Sequence, residues 1–176
     1  MPITYLTNED FQIICTALNE FFKKTKEPPP DYRQTYFEKL DSIIAIPQKT
    51  FAGKDLYPSH IQKASCYFYF INKFHPFNNG NKRFSIVATG VFLQYNGYQL
   101  NVDEDVLYNF AKEVTKHADD QDIEFNKVVQ FIHKYSYTAL AMRLKDMISL
   151  LQFQGSLSAR LGLKSKEPEK NASKKT

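Results

Sequence analysis

The stretch from Pro58 to Phe74 limits the fold more than any other part of the chain. At helical spacing, Ile61, Ala64, Phe68 and Ile71 fall on one face, and Tyr67, Phe70 and Phe74 on another. A helix that is apolar nearly all round has to be wrapped by other helices, so this one is central. A second apolar run, Phe84 to Leu93, follows after a short polar stretch. Its β-branched residues also suit a strand. Its length, and the Gly97 standing just past its end, favour a helix. Gly90 within it admits close approach of another backbone. Two central helices meeting head to tail at a polar junction imply a compact all-α bundle.

The other helices follow from the same periodicity. Thr7 is an N-cap, Leu6 and Phe11 form a staple, and Phe11, Ile14, Leu18 and Phe21 make an inner face. Pro28-Pro29-Pro30 ends that helix. Asp31 caps a second one, with Tyr36, Leu40 and Ile43 or Ile44 inward, and Pro47 stops it. Asn101 and Glu104 form a capping box ahead of Val106, Phe110 and Val114, with Val102 on the same face. Phe125, Val128 or Val129, and Ile132 mark another helix. Leu140, Leu144, Met147 and Leu151 mark a last one, which packs on the body or offers a docking surface. Residues 48–57 break the pattern. There Gly53-Lys54-Asp55 reads as a turn between two short extended arms, with a plain connecting loop as the equal alternative.

At 176 residues the chain suffices for one domain with a real core. We divide it into a catalytic domain at 1–136, a helical extension at 137–163 and a disordered basic tail at 164–176. From Lys164 onward five lysines against two glutamates carry three of the four net positive charges. The body is left nearly neutral, which argues against direct nucleic-acid binding. No apolar run spans a bilayer and no signal-peptide pattern opens the chain, so no membrane is expected. Cys15 and Cys66 sit inside apolar helical patterns and suggest a cytoplasmic, reducing setting. His60, His117 and His133 lack metal-ligand spacing.

The polar junction carries the chemistry. Phe74-His75-Pro76-Phe77-Asn78-Asn79-Gly80-Asn81-Lys82-Arg83 holds one imidazole, three Asn amides, a Gly and two cations. A hinge between helices needs none of this, whereas an anion site does. Gly and Asn allow a tight, amide-rich turn, and the helix N-terminus after it favours phosphate. Arg83 adds a bidentate fork. His75, with an imidazole of near-neutral pKa, can take a proton.

This run resembles the signature of the Fic/Doc family, His-Pro-Phe-x-Asp/Glu-Gly-Asn-Gly/Lys-Arg. His75, Pro76, Phe77, Gly80, Asn81 and Arg83 match it, while Asn78 and Lys82 resemble the Doc (death-on-curing) branch. The resemblance implies a Fic-fold helical bundle with a short β-hairpin flap. It implies an enzyme that uses ATP, with Mg2+, to modify a hydroxyl of a target protein. His75 would be the general base. Asn78, Gly80, Asn81, Lys82 and Arg83 would hold the nucleotide's phosphates. By the Doc likeness, Lys82 goes with presentation of the γ-phosphate and hence with kinase activity. AMP transfer (AMPylation) is the second option. Asn79 stands where the family carries the magnesium-holding acid, and offers only an amide carbonyl. A catalytically silent binding module is therefore the third.

The family reading makes Thr50, Phe51, Ala52, Gly53 and Lys54 the flap that docks the target by strand addition. The inhibitory helix of many Fic enzymes, Ser/Thr-x-x-x-Glu-Gly/Asn, has its nearest match at Thr16 to Glu20. Phe21 fails the last position, so these two read as an outer helical face. This fits the Doc arrangement, in which a separate antitoxin blocks a toxin that acts on a target such as a translation factor.

Overall fold

The computed structural model describes residues 2–23, 29–116, 120–138, 140, 141 and 143. The chain divides into two compact units, Met1–Ala139 and Leu140–Thr176. Every element below belongs to the first. The helix expected over Leu140 to Leu151 and the basic tail lie, but for three positions, outside the described residues.

Helix α1 spans Asn8–Phe22. Its Thr7 cap is reciprocal: the Asp10 amide donates to Thr7 Oγ1 at 3.3 Å, and the Thr7 amide donates to Asp10 Oδ2 at 2.8 Å. Phe11, Ile14 and Leu18 are buried as expected, but Phe21 is 77% exposed. Asp31 caps only a 3-10 turn, Tyr32–Gln34. Helix α2 starts later, at Phe37–Ala45, with Leu40 and Ile43 inward. Tyr36, expected inside, is exposed.

A hairpin then forms from β1, Thr50–Phe51, and β2, Lys54–Asp55. Its register, Phe51 opposite Lys54, makes Ala52-Gly53 the turn instead of Gly53-Lys54-Asp55. Both turn residues have positive φ, 48° and 75°, as a two-residue hairpin loop requires. All four strand residues are exposed. The hairpin is held at its base. The buried Lys63 ammonium donates to Asp55 Oδ2 and to the Pro47 carbonyl, both at 2.9 Å. Burial alone would lower the Lys63 pKa, but the Asp55 hydrogen bond, with Tyr5, outweighs it and raises it.

Helix α3, His60–Phe74, starts at a second reciprocal cap, Ser59 with Gln62. Every residue from Lys63 to Asn72 is buried, so α3 is the central helix that its side chains demand. Helix α4, Asn81–Tyr95, packs on it, and the run Phe84 to Leu93 is helical despite its β-branched content. Aromatic rings join the layers: Phe11 lies 5.0 Å from Phe84 and Tyr67 lies 5.2 Å from Phe92, centroid to centroid. Helix α5 spans Glu104–Lys116 and α6 spans Gln121–Tyr135. The α5 cap is Asp103, whose Oδ1 accepts from the amides of Asp105 and Val106, and not Asn101. Its inner face accordingly turns to Leu107, Ala111 and Val114, leaving Val106 exposed. A short sheet completes the unit. Strand β3, Tyr98–Leu100, pairs antiparallel with β4, Ser136–Thr138. Among the described residues no helix is long and apolar enough to cross a membrane.

Candidate active site

The junction of α3 and α4 is built around two left-handed residues. His75 ends α3 at φ 47° and ψ 67°, and Gly80 begins α4 at φ 74°. For a residue with a Cβ, that conformation costs on the order of 1–3 kcal/mol and persists only when neighbours impose it. Between them Pro76 and Phe77 turn inward, and the Phe77 ring lies 4.5 Å from that of Phe84. The Asn81 amide closes the loop on itself. Its Oδ1 accepts from the Phe77 amide at 3.0 Å, and its Nδ2 donates to the Phe77 carbonyl at 2.7 Å. Asn81, expected to bind phosphate, thus shapes the loop that would do so. Asn78, Asn79 and His75 face solvent.

A second chain segment runs antiparallel along this loop, and the sequence did not announce it. Pro29 and Pro30 cross Gly80 so closely that a Cβ there would lie 2.6 Å from the Pro30 nitrogen. Asn19 of α1 holds them, donating to the Pro30 carbonyl at 2.7 Å. Thr35 forms a bridge with Phe77, and the Tyr36 amide donates to the Pro76 carbonyl at 2.9 Å. Lys39 Nζ reaches the Phe74 carbonyl at 2.9 Å. This strap, residues 29–39, follows the motif from Gly80 back to Phe74. Its one sequence signal was the run of prolines, which fixes φ and extends the chain.

Below the loop, a buried polar chain ties the two helices together. Asn72 Nδ2 donates to Ser85 Oγ at 2.7 Å, and Ser85 Oγ donates to the Lys82 carbonyl at 2.7 Å. Gly80 offers no side-chain cap to the first amides of α4, the groups that favour an anion at a helix N-terminus. Arg83 points toward a groove between α1, α4 and α5. Its guanidinium carbon lies 4.3 Å from the Phe22 ring centroid and 5.7 Å from that of Tyr108. The groove holds about 480 Å³, and Leu18, Ile86, Val87 and Leu107 give it an apolar lining. His75 does not line it.

The His75 imidazole is held below its ordinary pKa by partial burial, then by the charges of Lys82 and Lys39. A hydrogen bond to the Asn72 backbone opposes the shift. The neutral form therefore dominates at pH 7, as a base requires. A depressed pKa contributes stability fully present above the unfolded value near 6.5, and lost as pH falls through the folded value. An NMR titration of His75 is expected to show a midpoint below 6.5. A midpoint at or above 6.5 would contradict the environment described here.

The hairpin forms, and its base is held near the start of α3, where its anchor Lys63 stands twelve residues before His75 on the same helix, about 18 Å of rise. Thr50, Phe51, Ala52, Gly53 and Lys54 stand exposed beyond that base, while the backbone hydrogen-bonded to the motif belongs to the strap. Thr16 and Glu20 are exposed, as an outer helical face should be; Glu20 pairs with Lys23 at 3.7 Å.

No solved structure matches the chain. A curated relative named Toxin Doc, from Mycolicibacterium smegmatis, is 33% identical over 89 residues, covering 51% of this chain and 67% of the relative. The family model described as Fic/DOC matches residues 5–93, which hold α1, the strap, the hairpin and the whole motif. The chain, with its histidine-bearing loop set between two central helices, belongs to the Fic/DOC family.

Proposed function

We propose that the chain is a Doc-type toxin that transfers the γ-phosphoryl group of ATP to a hydroxyl of a target protein. The observation that carries this is the pairing of an exposed, neutral imidazole with an uncapped helix N-terminus five residues on. The donor set fits a polyphosphate. The α4 N-terminus and Arg83 supply N–H groups and charge, Lys82 adds a cation, and the groove beyond Arg83 has the volume for a base. ATP supplies the transferable phosphoryl group. His75 takes the proton of the target hydroxyl as its oxygen bonds to phosphorus and the bond to the departing ADP breaks. The loop fits a protein-held magnesium poorly. Asn79 offers an amide oxygen, and among the described residues no cluster of three or more His, Cys, Asp or Glu side chains comes together. Mg2+ would arrive on the phosphates of ATP.

Docking of the target falls to the exposed hairpin, Thr50 to Lys54, by strand addition, with the strap's Asp31 to Tyr36 stretch lying beside the motif. The solvent-facing Thr16 and Glu20 support control by a separate antitoxin over an inhibitory helix within α1.

Incubation with cell extract and ATP labelled at α or γ tests the proposal, with translation factors as the first targets to examine. Label from γ alone is expected. Label from α would replace the kinase by AMP transfer. The exposed Asn79 favours one rival, a silent binding module. No label from either position, unchanged by Asn79→Asp, would establish that rival.

A further inference from the structure

We propose that Lys39 is a positioning residue for His75, acting through the Phe74 carbonyl to hold the imidazole in its left-handed pose. The inference rests on the transferase reading for its consequence in catalysis, but not for its geometry. Among the described residues only His75 and Ala52 combine a side chain with positive φ. Ala52 sits in a tight hairpin turn, whose geometry demands it. His75 ends a helix, where a left-handed residue is a common termination but usually a glycine, so a side chain in that pose is strained unless surrounding contacts hold it.

Three anchors surround this residue. Its own amide donates to the Ile71 carbonyl at 3.2 Å. The carbonyl after it, on Pro76, accepts from the Tyr36 amide at 2.9 Å. The carbonyl before it, on Phe74, accepts from Lys39 Nζ at 2.9 Å. Two of the three come from the strap, one on each side of the imidazole. Of the three, the Lys39 contact alone is made by a side chain, and so can be removed without touching the backbone. The ammonium is itself fixed in direction, 4.7 Å from the Tyr36 ring centroid. Lys73, the nearest cation in sequence, is committed to Glu124 at 2.6 Å and does not substitute. The charged groups felt by His75 are Lys39 from α2 and Lys82 from α4, with the Asn72 backbone beneath.

A lysine on a terminal carbonyl can also be no more than a helix cap. The two roles differ in what they move. A cap changes stability alone, whereas a positioning contact changes the conformation at His75 and the chemical step together. The full chain is compared with Lys39→Met, which keeps the stem, and Lys39→Arg, which keeps a donor. NMR shifts of the Phe74-His75-Pro76 backbone and the His75 ring are recorded, with kcat and the KM for ATP. Lys39→Met is expected to move those shifts and lower kcat at least tenfold at unchanged KM, with most of both restored by Lys39→Arg. Unchanged shifts overturn the proposal. A fall in kcat without a shift change overturns it too, since Lys39 would then act on the substrate directly. If the wild-type chain transfers nothing from ATP, the transferase reading fails, and the NMR comparison still decides whether Lys39 holds His75.

Discussion

His75→Ala is expected to reduce transfer to the target by about 10²–10⁴-fold, the range a positioned general base contributes. The loss should fall on kcat, because the groove beside Arg83 and the α4 N-terminus keep their hold on the nucleotide. Stability should change by no more than about 0.5 kcal/mol, since the side chain is exposed and fills no core. Alanine also inherits the same left-handed backbone, so the swap neither relieves nor adds strain. Single-turnover kinetics with thermal unfolding check both halves. A variant that folds normally and transfers at the wild-type rate would remove His75 from the chemistry.

Gly80→Ala is expected to be the most damaging single methyl in the loop. Two costs combine there. The left-handed φ of 74° penalises any Cβ, and that Cβ would meet the Pro30 nitrogen and Cδ at 2.6 Å and the Pro29 carbonyl carbon at 3.2 Å. The first costs about 1 kcal/mol and the second, pressed against backbone that cannot rotate away, about 1–3 kcal/mol. A loss near 2–4 kcal/mol lowers Tm by roughly 5–15 °C in a chain of this size. Gly53→Ala is the control. Its φ is 75°, yet nothing lies within 4 Å of the added methyl, so it should lose only about 1 kcal/mol. Equal losses in the two variants would show that the strap does not press on the motif.

Much of this was legible from residue pattern. The Thr7 cap, the all-round apolar character of α3 and the turn chemistry of Asn78 to Gly80 are local properties, and local reasoning found them. Most of what the pattern does not reveal is non-local. Pro28-Pro29-Pro30 read as the stop of the first helix, yet α1 already closes at Phe22, and nothing nearby reveals that Pro30 lies on Gly80. The hairpin is legible as a turn between two short arms, but its turn falls at Ala52-Gly53, one residue earlier than the Gly53-Lys54-Asp55 run suggests. Strands β3 and β4 have three residues each, too few for an alternation to show, and find each other across the intervening α5 and α6. The hold of the Asn81 amide on both backbone groups of Phe77 is a tertiary detail that its chemistry alone does not announce. The α5 face was misread because Asp103, not Asn101, sets where the helix begins.

The strap also bears on when the site comes into being. Its contacts with the motif close large loops: Lys39 and Phe74 are 35 residues apart, and the Tyr36 amide reaches the Pro76 carbonyl across a similar span. Closure over such distances is slow and entropically costly, and is won only once the intervening helices have condensed. During synthesis, His75 would therefore leave the ribosome as an ordinary, unstrained histidine. It acquires its pose only after the strap has folded back across the motif, so that activity is absent from any nascent fragment that ends before α4.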